Sequence, residues 1–190
     1  MIIDGHPDSR EERFVHGLAG AYQAGAESGG HEVRRISISA LKFPLLKTSE
    51  DFLSGPAPHE IRSSQETLMW ANHWLIIFPL WLGSMPAALK AFFEQTLRPG
   101  FAFAATAKGG LPRKLLTDKS ARIVVTMGMP ALFYRWYYRA HSLKSLERNI
   151  LAFCGIKPVR ASVVGSVEGM SAAKRKSWLA KMAALGCKAQ

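Results

Sequence analysis

The run Trp74-Leu75-Ile76-Ile77-Phe78, which ends at Pro79, decides the fold of this chain. Five consecutive apolar residues without polar alternation are typical of a strand buried on both faces in a parallel sheet. The charge-free stretch around it, residues 67–89, has the length of a membrane span, but prolines and polar residues interrupt it. We therefore interpret this stretch as a central strand followed by a turn.

Further strand patterns lie on both sides of this run, at residues 2–4, 31–38, 121–127 and 158–164. Helical spacing of apolar residues separates them, at about residues 11–28, 59–71, 86–97, 143–153 and 178–185. Regular alternation of strands and helices predicts an α/β fold, a parallel sheet with helices on both faces. Five strands favour the doubly wound order 2-1-3-4-5 of flavodoxin-like folds. We expect residues 1–190 to form one such domain.

Details of the elements can also be predicted. The apolar face of the first helix is formed by Phe14, Leu18, Tyr22 and Ala26, and Gly29-Gly30 ends this helix. Glu11 and Glu12 are expected in its first turn, where the helix dipole favours acids. Pro86 is expected as the first residue of the helix that follows the third strand, with Ser84 as its cap. Residues 40–58 and 99–118 are expected to be loops.

Composition and charge narrow the class of protein. The 190 residues are 48% hydrophobic and 21% charged, which is typical of a soluble globular domain. Two distant cysteines exclude a disulfide scaffold, and no secretory signal begins the chain, so we expect a cytoplasmic protein. The net charge of +11 comes from residues 101–190, which carry +13 against −2 for residues 1–100. Such a surface attracts anions, but no nucleic-acid-binding motif occurs, and we expect no nucleic-acid partner.

In doubly wound sheets, ligands bind at the carboxyl ends of the strands where the strand order reverses. This places residues 5–13 beside residues 79–86 and 126–141. The first of these loops leads into a helix N-terminus, which binds phosphate through backbone N–H groups, and Ser9, Arg10 and Arg13 add donors. Its His6 could act as a base, although a histidine in a Gly-His-Pro turn more often bonds the backbone.

The other two loops could hold a flat ring. Residues 79–86 combine apolar side chains with main-chain N–H groups, which suits a planar heterocycle as well as plain core packing. Residues 133–139 are rich in Tyr, Trp and Arg, which could stack on a planar ligand, contact phosphate or pack against another subunit. Neither GxGxxG nor GxxxxGK[ST] occurs, and the six histidines show no metal-like spacing, so we expect no metal site.

Several motifs occur in a recognisable order. They are Gly5-His6-Pro7-Asp8, Phe78-Pro79-Leu80-Trp81, Met85-Pro86-Ala87-Ala88-Leu89-Lys90, Pro99-Gly100-Phe101-Ala102-Phe103, Thr126-Met127-Gly128 and Phe153-Cys154-Gly155-Ile156. With them the chain resembles the flavodoxin-like NAD(P)H:quinone oxidoreductase family, including its small bacterial members. The loop after the fourth predicted strand departs from the family, since residues 126–129 read Thr-Met-Gly-Met where the family often has Thr-Thr-Gly-Gly.

The resemblance implies non-covalent FMN or FAD and a homodimer with the site at the subunit boundary. Four residues would hold the flavin phosphate region: His6, Ser9, Arg13 and Phe14. The isoalloxazine would lie against Pro79, Leu80, Trp81, Leu82 and Gly83 on one side and Thr126, Met127 and Gly128 on the other. Tyr134 and His141 would correspond to the active-site Tyr and His of the family. The choice between NADH and NADPH stays open; apart from the resemblance, the basic residues Arg135, Arg139 or Lys108 could meet a 2′-phosphate.

The family's chemistry comes from the cofactor. NAD(P)H would reduce the flavin by hydride transfer, and a quinone or a similar flat acceptor would then be reduced in a ping-pong scheme. The resemblance also allows an alternative, a regulatory subunit of a membrane transport system that contacts a transporter domain or the membrane. A nucleic-acid binder, suggested by charge alone, ranks last.

Overall fold

The computed structural model describes residues 1–104 and 110–190 and contains a five-stranded parallel sheet. Numbering only the strands of this sheet, they are β1 Ile2–Asp4, β2 Arg35–Ser37, β3 His73–Pro79, β4 Ser120–Thr126 and β5 Val159–Val164. Their spatial order is 2-1-3-4-5, which confirms the flavodoxin-like fold that the sequence predicts. The central pair, β3 and β4, is in register from His73 opposite Ser120 to Pro79 opposite Thr126.

Helices pack on both faces of the sheet. They are α1 Phe14–Ser28, α2 Ser49–Leu53, α3 His59–Trp70, α4 Ala87–Thr96, α5 Ala131–Trp136, α6 His141–Lys144, α7 Ala152–Cys154 and α8 Ala172–Cys187, and residues 145–151 join α6 to α7 in a π-helical conformation. One face is covered by α1 and α8, and the other by α3, α4 and the helix from α6 to α7. Both faces of β3 are therefore buried, as its continuous apolar run predicts.

The two helices on the first face approach each other closely at glycines. A Cβ atom on Gly25 of α1 would lie 2.0 Å from the carbonyl oxygen of Ala183, and one on Gly186 of α8 would lie 2.0 Å from that of Tyr22. No real side chain tolerates such a distance, so only glycine allows this backbone contact. The contact holds α1, and with it the loop that precedes α1, against the sheet.

Two predicted helix starts are wrong. Helix α1 begins at Phe14 behind Arg13, whose backbone is extended, so Glu11 and Glu12 lie in the preceding turn and not in the first helical turn. Pro86 precedes the first residue of α4, and Ser84 pairs with Trp81 through the backbone instead of capping the helix. Before α4, this backbone pairing of Ser84 overrides its capping preference.

The predicted loops contain more structure than expected. Residues 40–58 include α2, because Thr48 and Asp51 form a capping box that nucleates this short helix. Residues 99–118 include a small antiparallel ribbon, in which Phe103–Ala104 pairs with Arg113–Lys114. Lys108 lies outside the described residues. Within the described ranges, no helix has both the length and the apolar character that a bilayer span requires.

Candidate functional site

The site begins where the two central strands end. The backbone N–H of Leu80, just after β3, donates to the carbonyl oxygen of Thr126, the last residue of β4, at 2.7 Å. Met127 in turn donates its N–H to Val164, the last residue of β5, at 2.9 Å. These bonds extend the sheet pairing by one residue and hold the loops after three neighbouring strands together at one edge.

The loop after β3 is a tight turn. The N–H of Trp81 donates to the carbonyl of Ser84 at 2.8 Å, and the N–H of Ser84 donates back to Trp81 at 2.9 Å. The two residues between them, Leu82 and Gly83, have φ angles of +45° and +77°, as a type I′ turn requires. Within residues 1–104 and 110–190, only Leu82 and Gly83 in this turn keep N–H groups without an acceptor, so the donors available to a ligand are fewer than the sequence suggests.

A cavity of about 390 Å³ lies beside this turn. It is lined mainly by apolar and aromatic residues, namely Leu80, Leu82, Gly83, Met127, Gly128, Met129, Tyr134 and Tyr138. Six of these residues belong to the site predicted from the sequence. Trp81 is not among them: it is half exposed, and its ring meets the His6 ring edge to face at 5.9 Å. An apolar cavity rimmed by two backbone donors suits a flat ring with polar edge atoms.

A second cavity, of about 280 Å³, lies at the start of α1. Its lining is His6, Glu12, Arg13, Phe14, Val15, Pro79, Thr126, Val167, Glu168 and Arg175. The N–H groups of Phe14 and Val15 have no acceptor within the described residues, as expected at a helix N-terminus. Together with Arg13 and Arg175 they offer donors of the kind that phosphate accepts from, beside the carboxylates of Glu12 and Glu168.

Two arginines of this region differ in how they are placed. Asp8 forms ion pairs at 2.6 Å with both Arg10 and Arg13, but only Arg13 lines the cavity. Hydrogen bonds from Arg10 are the main reason why the pKa of Asp8 is lowered from its ordinary value. Arg175, which the sequence analysis did not single out for the site, packs over the Phe14 ring at 4.9 Å. Ser9 is exposed and lines neither cavity.

A buried network supports the first loop from below. Asp4 is 1% exposed, and it contacts the His16 Nδ1 atom at 2.6 Å and the Arg35 guanidinium. The other ring nitrogen of His16, Nε2, lies 2.8 Å from the carbonyl oxygen of Asp8. Each ring nitrogen of His16 therefore faces an oxygen atom, and the ring ties Asp4 at the end of β1 to the loop at Asp8. The sequence analysis missed this network, because its members come from β1, α1 and β2.

His6 bonds the backbone, as its Gly-His-Pro context indicates. The N–H of Asp8 donates to His6 Nδ1 at 3.0 Å, which leaves Nε2 as the nitrogen that can donate to a ligand. Burial, followed by the charge of nearby His16, lowers the pKa of His6 below its ordinary value. His6 lines the second cavity, where its Nδ1 accepts from the backbone and its Nε2 can face a ligand.

Tyr134 lines the first cavity with its ring, but its hydroxyl is engaged inside the protein. The side chain is 1% exposed, and its Oη lies 2.7 Å from Ser142 Oγ and accepts the N–H of Leu143 at 3.2 Å. His141 is exposed and lies in a separate cavity beyond Gly83, so the structure does not bring it to the same pocket as Tyr134.

The aromatic segment after β4 is divided between inside and outside. Tyr138 lines the first cavity, whereas Phe133 and Tyr137 stack on each other at 5.0 Å on the surface. Trp136 is 81% exposed. This segment therefore both borders the cavity and presents an apolar surface next to it.

A flavin fits this arrangement on the chain's own geometry. The first cavity has the apolar walls and backbone donors that a planar heterocycle needs, and the second has phosphate donors. Pro79 and Thr126 line the second cavity, while the residues that follow them, Leu80 and Met127, line the first. The two cavities therefore share the same two strand ends, as the two parts of one ligand require.

The strand order and the position of the cavities define a flavodoxin-like α/β protein, and comparison with known proteins supports this class. The sequence model of the flavodoxin-like fold family matches residues 1–185, and the chain belongs to this family. It is 25% identical over 183 residues to a Haemophilus influenzae protein named as an uncharacterized NAD(P)H oxidoreductase, an alignment that covers 94% of this chain and 89% of that protein.

Two solved structures show the same fold. An NAD(P)H:quinone oxidoreductase from Methanothermobacter marburgensis has a TM-score of 0.82 at 21% identity, over 98% of this chain and 94% of that one. An FMN-dependent NADH-azoreductase from Bacillus anthracis has a TM-score of 0.76 at 14% identity, over 98% of this chain and 96% of that one.

Proposed function

We propose that this protein is a flavin-dependent NAD(P)H oxidoreductase that reduces quinones or similar flat acceptors. The observation that carries the proposal is the pair of cavities on the same two strand ends, one lined mainly by apolar and aromatic residues, the other at the N-terminus of α1. The names of the Haemophilus influenzae relative and of the two similar structures support the same chemistry.

Each part of the flavin has residues that would hold it. Arg13, Arg175, His6 and the N-terminus of α1 would bind the phosphate of FMN or FAD, while the ring would lie between the turn after β3 and residues 127–129. When bound, the flavin supplies the capacity to accept and return a hydride. The N–H groups of Leu82 and Gly83 would stabilise negative charge at the polar edge of the ring.

The walls of the first cavity would serve the reaction in a different way. Tyr134, Tyr138 and Met129 would exclude water and leave room for one flat molecule at a time. A site that admits the hydride donor and the acceptor in turn would give a ping-pong order. The exposed aromatic residues of α5 next to this cavity support a homodimer in which the neighbouring subunit completes the site.

An absorption spectrum of the purified protein, before and after incubation with FMN and FAD, tests the proposal. We expect the two-band spectrum of an oxidised flavin, bleached by NADH or NADPH and restored by a quinone. The flavin released on denaturation identifies the cofactor as FMN or FAD. A protein that stays colourless with both flavins would refute the proposal and favour the regulatory alternative.

A further inference from the structure

A third cavity, of about 700 Å³, lies on the far side of the turn after β3. Gly83 lines both this cavity and the first cavity, so the two are neighbours. The third cavity is not needed to hold a flavin, because the ring and phosphate regions already have their own surroundings. Its lining consists of polar and cationic residues from the start of α6 and the π-helical turn that follows, together with Arg139.

The charge of this cavity is one-sided. Arg139, Lys144 and Arg148 line it together with His141, and no acidic residue contributes to the lining. Within residues 1–104 and 110–190, none of the three basic side chains has an ion pair or a hydrogen bond. By contrast, Arg35 is paired with the buried Asp4. Unpaired like charges around one concave surface attract an anion.

The backbone that places Arg139 is held in an unfavourable conformation. Arg139 and Ala140 both have φ angles of +50°, in the left-handed region that residues with a side chain rarely adopt. The N–H of Ala140 donates to the carbonyl of Tyr134 at 3.1 Å, which connects this strained corner to the wall of the first cavity. Strain of this kind concentrates at ligand sites. Here it turns Arg139 toward the third cavity while Tyr134 stays in the first.

We propose that the third cavity binds a phosphate group of the hydride donor while the nicotinamide enters the first cavity. The inference rests on the proposed function and extends it to the determinant of coenzyme choice. The phosphate is either the 2′-phosphate of NADPH or the pyrophosphate shared by NADH and NADPH. Arginine and lysine side chains bind both groups through charge-assisted hydrogen bonds, and Ser84 and Asn149 add neutral donors.

The test compares the parent protein with Lys144→Gln/Arg148→Gln and with a control, Lys176→Gln/Lys188→Gln, that removes the same charge from exposed positions on and just after α8. Calorimetric titrations with 2′,5′-ADP, 5′-ADP and 5′-AMP measure phosphate binding without the need for flavin. Steady-state KM values for NADPH and NADH are measured on the same proteins. We expect the first variant to weaken binding about tenfold, since two charge-assisted contacts are lost, and the control to bind like the parent.

The three probes separate the two sources of phosphate. Weakening restricted to 2′,5′-ADP and NADPH assigns the cavity to the 2′-phosphate, and equal weakening of 5′-ADP, NADH and NADPH assigns it to the pyrophosphate. Unchanged binding of every probe in the first variant overturns the inference. A yellow, active enzyme with that result would refute this inference alone, whereas a colourless protein would refute the proposed function and leave the titrations readable.

Discussion

Tyr134 Oη and Ser142 Oγ lie 2.7 Å apart and connect two neighbouring cavities. Tyr134 lines the first cavity, at the ends of β3 and β4, and Ser142 lines the third cavity, beyond Gly83. The bond fixes the start of α6 relative to α5 across the strained corner at Arg139. A change at either hydroxyl should therefore affect both cavities.

We predict that Tyr134→Phe slows turnover about fivefold but leaves flavin affinity within about twofold, because the ring stays and one hydrogen bond of about 1 kcal/mol is lost. The buried N–H of Leu143 also loses its acceptor, so the free energy of unfolding should fall by about 1–2 kcal/mol. Stopped-flow half-reactions and urea denaturation measure these effects. Ser142→Ala breaks the same bond and keeps the tyrosine, so equal slowing in that variant would assign the effect to the bond and not to the Tyr134 hydroxyl itself. Unchanged rates in both half-reactions of Tyr134→Phe would remove Tyr134 from the mechanism.

Arg13 and Arg10 form a matched pair for the phosphate region. Both pair with Asp8, but only Arg13 lines the cavity at the start of α1. Arg13→Gln should weaken FMN binding about tenfold, the effect of one charge-assisted contact to phosphate, and Arg10→Gln by less than about twofold. Fluorescence titration of the apoprotein with FMN measures both dissociation constants. Equal losses in the two variants would mean that the loop, and not the Arg13 side chain, binds the phosphate.

Gly25 and Gly20 test the contact between α1 and α8. A Cβ at Gly25 would overlap the Ala183 carbonyl, whereas one at Gly20 meets nothing within 4 Å. Gly25→Ala should lower the free energy of unfolding by about 3 kcal/mol or more, as overpacking against backbone does. Gly20→Ala should raise it by up to about 1 kcal/mol through helix propensity. Thermal and urea unfolding measure both; a stable Gly25→Ala protein would contradict the close approach of the two helices.

His73, at the amino end of β3, predicts a pH dependence of stability. Its Nδ1 pairs with Ser120 Oγ at 2.7 Å, its Nε2 has no partner within the described residues, and burial lowers its pKa to about 4. Between pH 6.5 and 4 the unfolded chain binds a proton that the folded chain does not, so this group lowers stability as the pH falls through that window. Its contribution is complete above pH 6.5.

The corresponding measurement is urea denaturation at pH 7.5 and pH 5.0 for the parent protein and His73→Asn. The parent should lose about 2 kcal/mol more than the variant between these two pH values, the equivalent of roughly 1.5 pKa units. The difference between the proteins isolates His73 from the carboxylates, which titrate in both. Parallel pH profiles would show that His73 keeps an ordinary pKa.

The sequence predicted the sheet well because its signal is local. Residues 74–78 and 123–125 are apolar without interruption, and such runs are typical of strands buried on both faces of a sheet. The alternation of strand runs with amphipathic helices predicts the parallel sheet, and five such strands favour the flavodoxin-like order that is confirmed here. The helix starts at Phe14 and Ala87 were less predictable, since turn hydrogen bonds compete there with capping preferences.

The sequence by itself determined the class of fold and which loops meet at the carboxyl edge of the sheet, because hydrophobic periodicity specifies what must be buried. Only the tertiary structure decided how polar groups pair. It placed His141 beside Arg148 in a cavity separate from that of Tyr134, and it joined Asp4 to Arg35, 31 residues away. Hydrogen-bond partners are chosen by proximity in space, which residue spacing along the chain does not encode.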